Sequence, residues 1–172
     1  VPMRFVDSPA TFAEMKAYLL NPEAKPKAVA IDLEHHSAHS FQGFTCLVQL
    51  STPERDFVVD ALACRREMQD LAPLFHDPTV VKVLHGANWD ALWLQRDFGL
   101  YLVGVFDTGQ AARALGYDSA SLAFALQRHC RVSANKALQL SDWRVRPLPA
   151  DWLAYAREDT HYLLTVFDAM RM

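Results

Sequence analysis

Ala28-Val29-Ala30-Ile31-Asp32-Leu33-Glu34 is the stretch from which the fold is read. Four apolar residues, two of them β-branched, run straight into two acids separated by one leucine. A continuous apolar run of this kind reads as a strand buried on both faces. Alternate strand residues point the same way, so the Asp32 and Glu34 carboxylates leave one face, roughly 6.5–7 Å apart along the chain. Two acids on a buried strand are costly unless a cation sits between them. The rest of the chain is therefore expected to bring more carboxylates and a divalent metal to this strand.

The 172 residues suit one domain with a sizeable core. At 51% hydrophobic and 22% charged, the composition is that of an ordinary globular chain. No apolar run reaches the length of a membrane span, and Pro2, Arg4 and Asp7 interrupt the N-terminus where a signal peptide would lie. Starting at Val1 rather than Met, the chain reads as a piece of a longer protein. Cys46, Cys64 and Cys130 are widely spaced and read as free thiols of a reducing compartment. The seven histidines show no zinc-ligand spacing. A net charge of −3 does not announce a nucleic-acid binder. Residues 128–146, however, carry Arg128, Arg131, Lys136, Arg144 and Arg146 against the single acid Asp142, so five positive charges less one give +4.

Outward from 28–34, the pattern predicts a helix over 10–20, capped by Ser8 with Pro9 at its first position, then a loop to Lys27. Strands follow at 44–51 and 56–60, joined by a turn holding Pro53, so the first three strands are expected to be antiparallel. Helices at 62–75, 88–98, 108–115 and 119–129 alternate with strands at 80–84 and 102–106. Gly99 is expected to end the second of these helices, and Ser119 to cap the last. Ala91, Leu92, Leu94 and Phe98 are the apolar positions of helix 88–98. Residues 131–149 are a long polar loop of the size that is usually functional, and 151–171 a final helix. The fold class is α/β: a mixed five-stranded sheet, three strands antiparallel and then two parallel, flanked by helices.

Two further acids join the pair. Asp90 lies in His85-Gly86-Ala87-Asn88-Trp89-Asp90, just beyond the carboxyl end of a strand, where α/β sheets hold ligands. Asp159 lies on the last helix with Tyr155 one turn earlier on the same face, roughly 6 Å along the axis. Each has an ordinary reading. Asp90 would serve the helix dipole, Asp159 would be a solvated helix acid, Tyr155 would be core, and Asp32 with Glu34 would be salt-bridged. Only the combination points elsewhere.

Ile31-Asp32-Leu33-Glu34, Asp90 after His85-Gly86, and Tyr155 with Asp159 resemble the DEDD superfamily of 3′–5′ exonucleases, in its tyrosine-bearing branch. Residues 32–37, 46–51, 85–90, 93–101, 106–108 and 142–149 look like the catalytic domain of the RNase D-like exoribonuclease family of the nuclear exosome. The resemblance runs over about 28–171 and implies an RNase H-like fold. It makes 1–172 one exonuclease domain, with 1–27 an N-terminal helix and loop and 28–172 the core.

By that resemblance, Asp32, Glu34, Asp90, Tyr155 and Asp159 are catalytic, and the four acids hold two divalent cations, Mg²⁺ or Mn²⁺. Two carboxylates ~4 Å apart repel by ~4 kcal/mol at an effective dielectric of 20, so such acids need the ions. Asp32 would bridge both ions, Glu34 and Asp159 would complete one, and Asp90 would hold the other directly or through water. Tyr155, a poor base at neutral pH, would orient the attacking water. His35 and Trp93 match positions at the terminal nucleotide, and Lys136 one near the scissile phosphate. Arg144 and Arg146 are open to two readings, phosphate contact or pairing with nearby acids. His36 reads as structural and Asp107 as a helix cap.

The implied activity is hydrolysis of RNA from its 3′ end to nucleoside 5′-monophosphates, in nuclear RNA processing and decay. The implied partners are single-stranded RNA 3′ ends, the exosome core and exosome cofactor proteins, with no membrane; the implied location is the nucleus, including the nucleolus. Alternatives are a DNA 3′–5′ exonuclease on the same fold, or a docking platform for exosome cofactors.

Overall fold

The computed structural model describes residues 1–171. The stretch read first is the central strand β2 (Ala28–His36), and a bulge between Glu34 and His35 carries its pairing two residues past the expected end. It pairs antiparallel with β3 (Phe44–Ser51), which pairs antiparallel with β4 (Asp56–Asp60). On the other side β5 (Val81–Leu84) runs parallel to β2, and β6 (Val105–Asp107) parallel to β5. All five expected strands are present with the expected directions.

The sheet nevertheless has six strands, in the order β1-β4-β3-β2-β5-β6. The addition is β1 (Met3–Val6), parallel to β4. Residues 1–27 are thus more than a helix and loop. Four residues are too few to show a period, which is why sequence pattern missed them. Gly104, at φ 71°, also displaces β6: a left-handed residue cannot sit inside a strand, so pairing begins at Val105 rather than at 102.

α1 (Pro9–Leu19) has the expected Ser8 cap, with Ser8 and Thr11 exchanging side-chain-to-backbone hydrogen bonds. The single helix expected over 62–75 is instead a turn, a 3₁₀ segment (Glu67–Leu71) and the short α2 (Ala72–Phe75), because Pro73 has no N–H to carry a longer helix through. α3 (Asn88–Phe98) and its left-handed Gly99 fall where expected, although Leu92 is exposed rather than inward. α4 (Thr108–Ala114) follows Asp107. α5 (Leu122–Cys130) starts three residues late: the hydroxyl of Ser121, not Ser119, accepts the Phe124 N–H. The final helix breaks at Tyr162 into α6 (Ala150–His161) and α7 (Leu163–Met170). That break lets α6 lie over β2, β3 and β4 while α7 covers β2 and β5 and meets α4 and α5.

Strand parity sorts the core. Val29, Ile31 and Leu33 pack with Phe12, Met15, Leu74 and Leu94 on one face of the sheet. Ala30 packs with Val83, Leu163 and Phe167 on the other. Asp32 and Glu34 share the parity of Ala30, so the acids face the side on which α6 and α7 lie. The three cysteines are free, as expected. No described helix is long and apolar enough to cross a membrane.

Candidate metal centre

Each acid reaches the site through its element. β2 supplies Asp32 and Glu34, and α6, crossing β2–β4, supplies Asp159. One oxygen from each of these three carboxylates falls in a group whose members all lie within 4.8 Å of one another. Among the described residues, no lysine or arginine pairs with them. Hydrogen bonding to this group is sparse: buried Gln49 Nε2 donates to Glu34 Oε1 at a long 3.4 Å, and the Leu33 N–H to Asp32 does not offset its burial. Asp90, in the first turn of α3, is buried but stands outside this triad. Its charge is still felt at Asp32 and Glu34.

The electrostatics follow from burial without compensation. Desolvation, then repulsion from Asp159, pushes Glu34 up to about 9. Asp32 is raised well above the carboxylate range by burial and then by Asp159, Asp90 and Glu34. Asp90 reaches about 7 through burial and Asp107, and Asp159 about 6 through burial and Glu158. Four acids that resist ionisation together, with an all-oxygen donor set and no protein cation, fit hard divalent cations. Crowded in this way, they are suited to binding cations rather than to coexisting as bare charges.

Tyr155 sits one turn before Asp159 and is buried against Trp143, ring centroids 5.9 Å apart. Burial and the charges of Asp159, Glu34 and Asp32 push its hydroxyl above the ordinary tyrosine value. It therefore stays protonated at neutral pH. Trp143, 1% exposed, comes from the 131–149 segment. Arg146 pins that segment, bonding Asp60 at 2.6 and 2.8 Å and the Trp143 carbonyl at 2.8 Å. Arg144 pairs with Asp142 at 2.7 Å. Both arginines thus resolve as acid-paired, and the segment's structural work is to seat Trp143 beside Tyr155.

A cleft of about 600 Å³ opens over the triad, lined among others by Asp32, Glu34, His35, His85, Trp93, Lys136, Tyr155 and Asp159. His35 stacks on Trp93 with ring centroids 4.0 Å apart and planes 8° from parallel, and accepts from Arg96 Nη2 at 3.3 Å. Gly43 is obligatory behind it: φ is 68°, and a Cβ there would lie 2.0 Å from His35 Cε1. Burial and Arg96 lower the His35 pKa, so the ring is neutral near pH 7. Lys136 is exposed on its loop at the cleft wall. His36 faces Asp142 at 3.4 Å and Phe44, away from the triad.

Sequence reasoning assigned no role to Gln49, His85 or Trp143. Gln49 was legible only from register, because Asp32 pairs with it across β2–β3. Asp107 was read as a cap for α4, and it is, but it does more. Its carboxylate also accepts the Gly86 and Ala87 N–H groups at 3.0 and 2.9 Å, tying the start of α3, and so Asp90, to α4.

This geometry defines a class. Residues 3–172 match the 3′–5′ exonuclease family, and the chain belongs to that family. Within it, the chain is 50% identical over 171 residues to human "Exosome complex component 10", covering 99% of this chain and 19% of that protein. It is 49% identical over 145 residues to the Saccharomyces cerevisiae "Exosome complex exonuclease RRP6", covering 84% of this chain and 20% of that one. It superimposes on the catalytic core of RRP6 from Trypanosoma brucei with a TM-score of 0.92 and 48% identity, over 99% of this chain and 46% of that one. The chain spans about a fifth of the length of the two curated relatives.

Proposed function

We propose that this chain is the catalytic domain of a divalent-metal-dependent 3′–5′ exoribonuclease, releasing nucleoside 5′-monophosphates from single-stranded RNA 3′ ends. The observation that carries the reading is the carboxylate triad, its oxygens within 4.8 Å, buried on the sheet without a protein cation. A bare docking platform would have no use for so costly an arrangement. The exosome-named relatives support work with the exosome core and its cofactor proteins, in the nucleus and nucleolus. The preference for RNA over DNA rests on the same relatives. Residues 1–172 act as one exonuclease domain, since β1 and α1 are part of its sheet and core.

Asp32, Glu34 and Asp159 would hold the metal, Mg²⁺ or Mn²⁺, with Asp90 serving a second ion from beyond the triad. Such ions, when bound, neutralise phosphate charge, make hydroxide available from water and stabilise the leaving oxygen. The protein's own residues do the rest. Tyr155 donates from its protonated hydroxyl and orients the attacking water. Neutral His35 and the Trp93 face hold the terminal nucleotide. Lys136 offers its ammonium to a phosphate at the cleft wall.

A 3′-labelled single-stranded RNA, incubated with Mg²⁺ or with EDTA beside a DNA of the same sequence, tests the reading. Stepwise loss of 3′ nucleotides from the RNA, abolished by EDTA, is expected. An RNA left intact in Mg²⁺, or digestion undisturbed by EDTA, would sink it.

A further inference from the structure

Trp89 is an exposed indole next to the site, outside the residues that line the cleft. It is 63% exposed, an unusual state for the largest apolar side chain. It precedes Asp90 directly and lies one helical turn before Trp93 on α3. The two indole rings stack, with centroids 6.1 Å apart and planes inclined by 26°. Trp93 in turn stacks on His35 at 4.0 Å and 8°. Three rings therefore stand in series, beginning at the wall of the cleft and ending in solvent.

The inner two members have a reason to be there. His35 and Trp93 line the cleft beside Glu34, and Gly43 and Arg96 fix the histidine ring. The outer member has none of that support and is not needed for the core. Its ring is held by Trp93 on one side and otherwise open to a flat ligand. An indole face in water is suited to one class of partner above others, an unpaired nucleobase. Stacking of this kind is tolerant of sequence and grows with ring area.

We propose that Trp89 is a stacking position for a nucleobase of the substrate strand, extending the platform that His35 and Trp93 begin. The inference rests on the nuclease reading above. The occupant is single-stranded nucleic acid because the platform is continuous with the cleft that takes its 3′ end. Purines, having the larger ring area, are held more strongly than pyrimidines.

The test is steady-state digestion of oligo(A) and oligo(U) in Mg²⁺ by the wild type, Trp89→Ala and Trp89→Phe. Gln95→Ala, on another exposed part of α3, serves as the control. Trp89→Ala is expected to raise KM for oligo(A) roughly five- to tenfold, with a smaller rise for oligo(U). Trp89→Phe should recover most of the loss, and Gln95→Ala should match the wild type. A loss falling on kcat alone, or KM values unchanged by Trp89→Ala, would overturn the proposal; the second result would make Trp89 a protein-facing residue instead. A wild type that digests neither RNA is a separate failure, that of the nuclease reading, and the wild-type arm detects it alone.

Discussion

Asp32 on β2 and Asp107 at the end of β6 are acids on strands separated only by β5, and their surroundings are opposite. Asp107 is met by four backbone N–H groups, from Gly86, Ala87, Gly109 and Gln110. Burial alone would raise its pKa, but those bonds outweigh burial and hold it below the usual range. Asp60 and Asp97 repeat the pattern with Arg146 and Arg96 as partners. At Asp32, Glu34, Asp90 and Asp159 burial goes unanswered, and each acid is pushed up. One chain thus builds acids of both kinds within a few strands. Where it can satisfy a carboxylate, it uses it as a tie. Where it leaves carboxylates crowded and unpaired, it leaves a set that fits a cation from solution. Function is the difference between the two sets.

Neutralising a member of each set should therefore have opposite consequences. Asp159→Asn is expected to lower RNA digestion in Mg²⁺ by about 10³-fold or more, read as release of the 3′ label. Its metal-free stability in urea should equal or exceed that of the wild type, because a repulsion has gone. A variant with near wild-type rates would break the comparison at once. Asp60→Ala should do the reverse. It strands the Arg146 guanidinium and the Leu62 and Ala63 N–H groups, and should cost about 2–4 kcal/mol in urea unfolding with EDTA present. A stability change below about 1 kcal/mol would mean that Asp60 is no tie.

Tyr155→Phe sharpens the comparison at smaller scale. In the proposed reading the phenol is not a ligand but a donor beside the crowded set. Its loss should slow digestion by roughly 10- to 100-fold. Metal affinity measured by calorimetry should stay within a few-fold of wild type. Affinity lost together with rate would show that the hydroxyl holds the metal rather than the water.

The crowded set was legible in the sequence because strand and helix periods are simple. Asp32 and Glu34 at i and i+2, and Tyr155 and Asp159 at i and i+4, needed only the element type to share faces. The five strands from 28 onward followed from apolar runs and turn residues. What could not be read depended on tertiary contact. β1 is too short for a period and is fixed by pairing with β4. The break at Tyr162 follows from which strands α6 and α7 cover. Arg146 looked like a phosphate-seeking residue until the fold placed Asp60 next to it, whereas the acid that holds Arg144, Asp142, lies two residues away in the chain. Gln49 and Trp143, which touch Glu34 and Tyr155, lie 15 residues from the one and on a segment without regular structure in the other case.

The smallest effect separates the two sets by pH alone. In EDTA, Glu34 with its pKa near 9, Asp90 near 7 and Asp159 near 6 all bind protons more tightly folded than in an unfolded chain, where carboxylates titrate near 4. Between those values the folded state keeps protons that the unfolded state has released. Stability must therefore fall as pH rises from about 4 towards 9. The tied acids Asp60, Asp97 and Asp107 have lowered values and contribute in the opposite sense. Their stabilisation is present above the ordinary carboxylate pKa and is lost as pH falls through their depressed values. Metal-free unfolding in urea should thus show greatest stability near pH 5 and a decline towards pH 9. Mg²⁺ should flatten the decline and stabilise more at pH 8 than at pH 6, because ligands must shed protons before they bind. Glu34→Gln removes an acid pushed up to about 9 and should shallow the slope in EDTA. A metal-free stability that is level from pH 5 to 9 would mean that the carboxylates on β2 and α6 are not strained, and that the cation is not what completes them.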